Sequence, residues 1–282
     1  MKPHWPSVAI VGVGLIGGSV GQALLARRLA GRVIGIGRDA RSLAEALRRR
    51  AVSEISTDLA AAAPADFVLV ATGVAAIGRL LERLDVLIHP GTPITDAGST
   101  KRTIVDGWER HRARRRGRFV GAHPLAGSHR RGPGAADSEL FAGRITVVTP
   151  VAATPPEDLD AVAAFWSALG STVSIMPPRD HDRLLAAASH APHAVAAAVA
   201  AATPSAARRF TAGGWRDATR IAAGDPALWT DILVDNAAEV DRSLARVERT
   251  VARLRAALER RDRRAVERLL VRAKEARDAV GS

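Results

Sequence analysis

The strongest constraint on the fold is a glycine pattern that follows an apolar segment near the N-terminus. Residues 8–11 are apolar and lead into G-V-G-L-I-G, whose glycines are Gly12, Gly14 and Gly17. In a strand–turn–helix unit, such glycines allow a tight turn, the approach of a pyrophosphate and close packing of helix on strand. The first amides of the helix then face the phosphates. The pattern predicts a dinucleotide site built by Gly12, Gly14, Leu15, Ile16 and Gly17.

Short β-rich segments alternate with helical patterns over the first part of the chain, which is typical of parallel βαβ units. The predicted strands are residues 8–12, 32–36, 67–72, 93–96, 119–123, 145–149 and 172–176. Pro177 and Pro178 end this pattern, and the remainder is rich in Ala, Leu and Arg with helical spacing. We therefore expect an α/β Rossmann-type N-terminal domain over residues 1–178 and an all-α C-terminal domain over residues 179–282.

Two local patterns predict helices in more detail. Ser42, followed by Glu45 at the third position after it, reads as a capping box that opens the second helix. Residues 238–280 carry apolar side chains at steps of three and four, which predicts one long helix with a single apolar stripe. Such a stripe favours packing on a neighbouring helix or on a second subunit, and we expect a homodimer through the helical domain.

Composition narrows the class of protein. The chain has no Cys, which excludes disulfides and thiolate metal sites. Its net charge of +12 comes almost entirely from Arg spread among Ala and Leu, with Lys only at positions 2, 101 and 274 and no Tyr. This distribution favours solvated helix faces over a nucleic-acid-binding surface. The N-terminus shows no secretion signal and residues 194–202 are too short to span a bilayer, so we expect a cytoplasmic protein without a membrane partner.

The choice between NAD and NADP stays open at this stage. The second predicted strand ends at Gly37, where an acidic residue normally binds the ribose of NAD, and Arg38 follows it. An arginine there suits a 2′-phosphate, but it can also stack on adenine, and Asp39 can simply start a helix. Thr72 and Asp96, at the ends of two further strands, are also predicted to contact the cofactor.

Four further motifs make the prediction more specific. D-A-G-S-T-K begins at Asp96, H-P-L-A-G-S at His123, S-H-A-P-H at Ser189 and R-D-A-T-R-I-A at Arg216. Together with the glycine motif and in this order, they resemble the prephenate/arogenate dehydrogenase family, whose members include cyclohexadienyl dehydrogenases. The resemblance extends from residue 8 to about residue 236. It implies an NAD(P)-dependent oxidative decarboxylation that yields 4-hydroxyphenylpyruvate from prephenate, or tyrosine from arogenate, in tyrosine biosynthesis.

The resemblance also implies roles for individual residues. His123 matches the catalytic histidine that takes the proton from the C4 hydroxyl, and Ser99 matches the serine that bonds this histidine and the substrate. Arg220 matches the arginine that holds the ring carboxylate. The other residues implied to line or order the substrate pocket are His181, His193, Arg216, Asp217 and His129.

Some features leave alternatives open. His190 and His193 are spaced as metal ligands can be, but without a Cys and with few acidic neighbours we expect no metal site. A Rossmann dehydrogenase of the hydroxyacid or imine-reductase kind is a rival, although residues 180–193 lack the Lys that such enzymes use. Gly73 stands where the family commonly has Pro, and His129 where some members carry Glu. The sequence does not rank prephenate against arogenate.

Overall fold

The computed structural model describes residues 4–127 and 130–280. Within this part of the chain, nine strands form two sheets. They are β1 (Trp5–Val11), β2 (Ala30–Ile36), β3 (Glu54–Ser56), β4 (Phe67–Val70), β5 (Pro93–Asp96), β6 (Arg118–Phe119), β7 (Gly121–Pro124), β8 (Ile145–Thr149) and β9 (Thr172–Ile175). The first sheet is parallel with the order β3-β2-β1-β4-β5-β6, which is the order of a Rossmann fold.

Helices cover both faces of this sheet and make up the rest of the chain. The N-terminal helices are α1 (Leu15–Ala26), α2 (Ala40–Arg48), α3 (Val74–Leu87), α4 (Arg102–Glu109) and α5 (Pro156–Ala168). Those that follow are α6 (Pro178–Leu185), α7 (Ala191–Ala202), α8 (Gly213–Thr219), α9 (Pro226–Asp235), α10 (Ala237–Glu259) and α11 (Arg263–Asp278). The structure thus confirms the predicted fold class, a Rossmann-type domain followed by a helical domain.

The apolar alternation of β1 explains how the sheet is buried on both sides. Val8 and Ile10 belong to one core cluster, which includes α1 and α5. Ala9 and Val11 belong to the other, which includes α3 and α4. Successive side chains of a strand point to opposite faces, so a fully apolar strand needs a helical layer on each face. This double burial fixes the strand ends, where the loops of the site begin.

Three details differ from the sequence predictions. The single strand predicted over residues 119–123 is two strands, because the chain leaves the parallel sheet after β6 and starts the second sheet, in which β7 is antiparallel to β8. Helix α2 begins at Ala40 rather than behind Ser42, because the Asp39 side chain accepts from the amides of Arg41 and Ser42. The short edge strand β3 was not predicted at all.

The prediction of one long C-terminal helix over residues 238–280 is also wrong. It is broken between α10 and α11, where Arg261 adopts a left-handed backbone conformation with φ of 53°. Asp262 then caps α11 by accepting from the amide of Ala265 at 2.9 Å. The two helices pack on each other as a hairpin at the end of the chain.

The helical run Pro178–Ala202 joins the two parts of the molecule. It consists of α6, a π-helical turn over Ala186–His190, and α7. By length and composition this run is apolar enough to cross a membrane. It also carries several buried titratable side chains, namely His181, Asp182, His190 and His193. We interpret it as the helix that connects the two domains, and π-turns of this kind often mark functional sites.

Candidate active site

The glycine-rich turn between β1 and α1 has the geometry that a pyrophosphate requires. Gly12 has φ of +98°, and a Cβ there would lie 2.7 Å from the carbonyl oxygen of Ala71. A Cβ at Gly17 would lie 2.1 Å from the carbonyl oxygen of Gly12, so helix and turn touch through backbone alone. A Cβ at Gly14, in contrast, would meet no atom within 4 Å, which leaves this backbone open to an approaching group.

The open side of Gly14 faces a cleft of about 1100 Å³ along the carboxyl ends of β1, β2 and β4. Gly12, Gly14, Arg38 and Thr72 line this cleft. Leu15 and Ile16 are the first two residues of α1, where amide groups have no partner within the helix. The residues present therefore fit a dinucleotide, with its phosphates at the start of α1. Gly73 caps α3 with φ of −57°, an angle that proline also adopts.

Asp96, expected to contact the cofactor, is instead turned into the protein. Its carboxylate accepts from the amides of Gly98 at 2.8 Å and Ala122 at 3.0 Å, and forms an ion pair with Lys101. Lys101 also donates to the carbonyl of Ala122 at 2.9 Å. Both charged side chains are completely buried. This pair joins the end of β5 to β7, and so places the strand that carries His123.

His123 is the first member of a hydrogen-bonded chain that crosses from β7 to α6. Its Nδ1 lies 2.9 Å from Nε2 of His181, and Nδ1 of His181 lies 2.7 Å from Oδ1 of Asp182. The Asp182 carboxylate also accepts from the backbone amides of Lys101 at 2.8 Å and Arg102 at 2.9 Å. The start of α4 therefore meets α6 at the Asp182 carboxylate, and β7 is joined to the same carboxylate through His181.

The order of donors along this chain follows from the carboxylate. Ionised Asp182 can only accept, so His181 donates through Nδ1 and, when neutral, accepts through Nε2. His123 must then donate through Nδ1, and its Nε2 carries the lone pair. The arrangement holds His123 in the tautomer that a general base needs.

Burial reinforces this assignment of protonation states. Burial, together with the neighbouring His181 and Lys101, holds the pKa of His123 well below its usual value of 6.5. Burial also lowers the pKa of His181, which Asp182 only partly offsets. Burial raises the pKa of Asp182, but hydrogen bonds from His181 and from the amides of Arg102 and Lys101 outweigh it, so that pKa is lowered. The network is thus a carboxylate with two neutral imidazoles.

The other two histidines of the connecting helix lie against the C-terminal domain. Nδ1 of His190 lies 3.2 Å from the side-chain Nδ2 of Asn236, which also donates to the backbone carbonyl of Asp182 at 2.8 Å. Burial lowers the pKa of His190 to about 4. His193 stacks on Trp229 with ring centroids 3.5 Å apart, and its buried Nδ1 has no hydrogen-bond partner within the described chain. Among the described residues, no group of three or more His, Asp or Glu side chains is arranged to hold a metal ion.

The remaining predicted site residues are more exposed. Arg216, Asp217 and Arg220 lie on and just after α8, and their side chains form no ion pair with any described residue. The turn that starts at Arg220 packs on α7, the helix that carries His193. Ser99 is half-buried in the loop before α4, and no described group bonds its hydroxyl. His129 lies outside the described residues.

The structure brings His123 and His181 into contact, whereas it shows no contact between His123 and Arg220. His181 is completely buried, with protein partners at both ring nitrogens, so it lies behind His123 rather than on a pocket wall. Sequence reasoning gave no role to Lys101, Asp182 or Asn236. Lys101 stands inside the motif that begins at Asp96, and Asp182 directly follows His181, but the hydrogen bond from the Lys101 backbone amide to the Asp182 carboxylate becomes visible only in three dimensions.

Comparison with known proteins identifies relatives over nearly the whole chain. Residues 20–175 match the family model described as prephenate dehydrogenase, nucleotide-binding domain. Residues 177–272 match the model described as prephenate dehydrogenase, dimerization domain. The prephenate dehydrogenase of Bacillus subtilis is 32% identical over 288 residues, covering 97% of this chain and 76% of that protein.

Two solved structures share the full architecture. The prephenate dehydrogenase of A. aeolicus, solved with hydroxyphenyl propionate and NAD+, has a TM-score of 0.89 at 29% identity, covering 97% of this chain and 98% of that chain. The arogenate dehydrogenase of Synechocystis has a TM-score of 0.82 at 28% identity, covering 97% of this chain and 99% of that chain.

Proposed function

Because the chain belongs to the prephenate dehydrogenase family of oxidoreductases, we propose that it oxidises and decarboxylates prephenate to 4-hydroxyphenylpyruvate for tyrosine biosynthesis. The observation that carries this proposal is the hydrogen-bonded chain from Asp182 through His181 to His123. It presents one neutral imidazole as a base at the domain junction. The family's reaction needs a base at the hydroxyl that is oxidised.

His123 takes the proton of the C4 hydroxyl through Nε2. Its lowered pKa keeps the ring unprotonated at neutral pH, which is the form that can accept a proton. The free base is therefore present above pH 6.5, and kcat/KM should fall only as the pH drops well below that value. His181 and Asp182 act as positioning residues, because they fix the ring and its tautomer without reaching the substrate.

The bond changes balance without a metal. As the O–H proton passes to His123, the C4–H bond breaks with its electron pair and the C4 oxygen becomes a carbonyl. The bound nicotinamide supplies the hydride acceptor. The bond from the ring to its carboxylate then breaks, carbon dioxide leaves, and the electron pair completes the aromatic ring. The C4 oxygen becomes a phenolate, which takes back the proton held by His123. The protein's task is to orient the ring, and the C4 carbonyl draws the electrons.

Polar groups around the junction supply this orientation. Arg220 holds the ring carboxylate, since a guanidinium can grip both oxygens. Ser99, whose hydroxyl has no partner among the described residues, bonds the C4 hydroxyl. His193, Arg216 and Asp217 order the pocket from the side of α7 and α8. His129, which follows the H-P-L-A-G-S motif and stands where some members of the family carry Glu, completes the proposed set.

Arogenate is the second candidate substrate, because the Synechocystis structure of the same architecture is an arogenate dehydrogenase. The two acids differ only in the side chain, which ends in a keto acid in prephenate and an amino acid in arogenate. Formation of reduced nicotinamide, followed by absorbance with each acid and with each of NAD+ and NADP+, tests the proposal directly. Turnover of prephenate at least tenfold faster than that of arogenate supports it. Turnover of neither acid contradicts it.

Substitution of the base separates chemistry from cofactor binding. His123→Asn should lower kcat by about 10²–10⁴-fold, the usual contribution of a general base, while cofactor affinity stays unchanged. His89→Asn, at an exposed histidine on the loop after α3, is the matched control and should have no effect. Near-normal turnover by His123→Asn would remove it as the base.

We further propose that the protein is a cytoplasmic homodimer. The second family model describes a dimerization domain, and it includes α10 and most of α11. Apolar side chains on these helices, including Val251, Leu258 and Leu270, are more than 45% exposed in the single chain. Light scattering should give twice the mass of 29.7 kDa, and a monomer at micromolar concentration would contradict this part of the proposal.

A further inference from the structure

At the carboxyl end of β2, the cofactor cleft lacks the acidic residue that normally binds the ribose of NAD. Val11 and Ile36 lie side by side at the ends of β1 and β2, so the chain leaves both strands at the same level. The residue after β2 is Gly37, which offers no side chain where an acidic group would bind a ribose hydroxyl. Arg38 follows, exposed and lining the cleft.

The two carboxylates among the described cleft residues are Asp39 and Asp231. Asp39 caps α2, with its oxygens 3.1 Å from the amide of Arg41 and 3.2 Å from that of Ser42. Asp231 comes from α9 and lies beside Gly73, 3.7 Å from where a Cβ would stand, at the end of β4. Neither carboxylate therefore replaces the acidic residue that would bind the ribose hydroxyl at the carboxyl end of β2.

Cations are abundant around this same cleft. Arg38, Arg79 and Arg83 all line it, and the last two are one turn apart on α3. Within residues 4–127 and 130–280, none of the three forms an ion pair. Arginines nearby do find partners, since Arg48 and Arg49 both pair with Glu45. Ser42 adds a hydroxyl to the same wall.

A cleft with free guanidinium groups and no free carboxylate at the ribose end favours an anion there. Guanidinium groups bind phosphate through two parallel charge-assisted hydrogen bonds, which are stronger than bonds to a neutral hydroxyl. NAD carries a hydroxyl at this ribose position, whereas NADP carries a phosphate. We propose that Arg38, together with Ser42 and the Arg79–Arg83 pair of α3, forms a 2′-phosphate site, so that this chain binds NADP in preference to NAD. This inference rests on the dinucleotide-dependent function proposed above.

Binding of the cofactors alone, without substrate, tests the inference. Titration calorimetry of the full chain with NADP+ and NAD+ should show affinity for NADP+ about 10–100-fold higher, since a charge-assisted bond is roughly twice as strong as a neutral one. The fragment 2′,5′-ADP should bind, and 5′-AMP should bind much more weakly. Equal affinities for NADP+ and NAD+, or a preference for NAD+, would overturn the 2′-phosphate site and leave the dehydrogenase function intact. Binding of neither cofactor would overturn both.

Substitutions locate the site and separate it from stacking on adenine. Arg38→Ala should reduce the NADP+ affinity by about 10–100-fold and leave NAD+ nearly unchanged. An equal loss for both cofactors would mean that Arg38 stacks on adenine, and would overturn its role as a phosphate ligand. Arg48→Ala is the matched control, because Arg48 is exposed on α2, pairs with Glu45 and does not line the cleft.

The reverse substitution asks whether selectivity can be switched. A Cβ at Gly37 would lie 3.3 Å from Cδ2 of Leu43, a flexible side-chain end that can shift by a few tenths of an ångström. Gly37→Asp should therefore fold, repel the 2′-phosphate and accept from the ribose hydroxyl of NAD. We expect its preference to move towards NAD+ by at least tenfold. An unchanged preference for NADP+ in this variant would overturn the assigned position of the phosphate.

Discussion

The polar groups at the domain junction have hydrogen-bond and ion-pair partners within the protein, whereas the arginines around the cofactor cleft have no ion-pair partner among the described residues. Asp96 and Lys101 are completely buried and pair with each other, and Asp182 takes hydrogen bonds from His181 and two backbone amides. Arg38 and Arg79, at the cleft, are exposed and have no ion-pair partner within the described chain. One region is complete in the protein alone, whereas the other is completed by a ligand.

This difference separates two kinds of effect. A buried charge without a partner is costly, so the junction holds its geometry before any ligand arrives. Exposed arginines cost little to leave unpaired, so they set which ligand binds and contribute little to folding. Substitutions at the junction should therefore change stability or rate by orders of magnitude, and substitutions at the cleft should change only selectivity.

The largest effect is expected for Asp182→Asn. Both Asp182 oxygens accept from backbone amides, so the NH2 group of Asn must face the N–H of Arg102 or, after a flip, the N–H groups of Lys101 and His181. Either arrangement sets donor against donor and removes the charge that orients His181 and, through it, His123. We expect kcat to fall by about 10²–10⁴-fold, with cofactor affinity unchanged, because the base is no longer held in its productive position and tautomer. Asp180→Asn, at the exposed neighbour that pairs with Arg183, is the matched control. Asp182→Glu, which still only accepts, should recover part of the rate; a fully active Asp182→Asn enzyme would contradict the ordered chain.

Lys101→Met should cause the largest loss of stability. It leaves the Asp96 carboxylate buried with no opposite charge, which typically costs about 3–5 kcal/mol. Lys274→Met offers a direct comparison, because Lys274 is exposed and pairs with Asp278 one turn away on α11. The control should change the free energy of unfolding by less than about 1 kcal/mol. Denaturant unfolding of both variants measures the difference, and similar small losses would show that the buried pair does not stabilise the junction.

Acid should weaken the same region. A histidine whose pKa is lowered in the folded state binds protons more readily when unfolded, so stability is full above pH 6.5 and declines as the pH falls towards the folded value. The lowering of His190 to about 4 alone predicts a loss of about 2 kcal/mol between pH 7.5 and pH 5. Urea unfolding at the two pH values measures it. His190→Gln should remove the His190 share of about 2 kcal/mol, while the lowered pKa values of His123, His181 and His193 keep the remaining pH dependence. An unchanged pH dependence in this variant would show that His190 does not contribute to it.

Short-range patterns predicted much of the fold and some of the site. The turn at Gly12 and the position of His123 at a strand could be read because local spacing determines them. The partner of Asp182 could not, since Lys101 and Asp182 are 81 residues apart in the sequence and belong to different domains. The break at Arg261 was missed because no glycine or proline marks it, although its backbone is left-handed. Exposed Arg216 and Arg220 show why motif positions alone do not establish contact.

The smallest effect on stability is expected between the domain junction and the cofactor cleft, where His193 stacks on Trp229. A Cβ at Gly224 would lie 2.5 Å from Nε1 of Trp229 and 3.0 Å from Cε1 of His193, so Gly224→Ala must displace this stack. We expect a loss of about 1–3 kcal/mol, typical of overpacking, together with a change in tryptophan fluorescence. Gly214→Ala is the matched control, since a Cβ there meets no atom within 4 Å. If the two alanine variants unfold at the same denaturant concentration, the His193–Trp229 stack can shift without loss of stability. The rigid part of the domain junction would then end nearer His181.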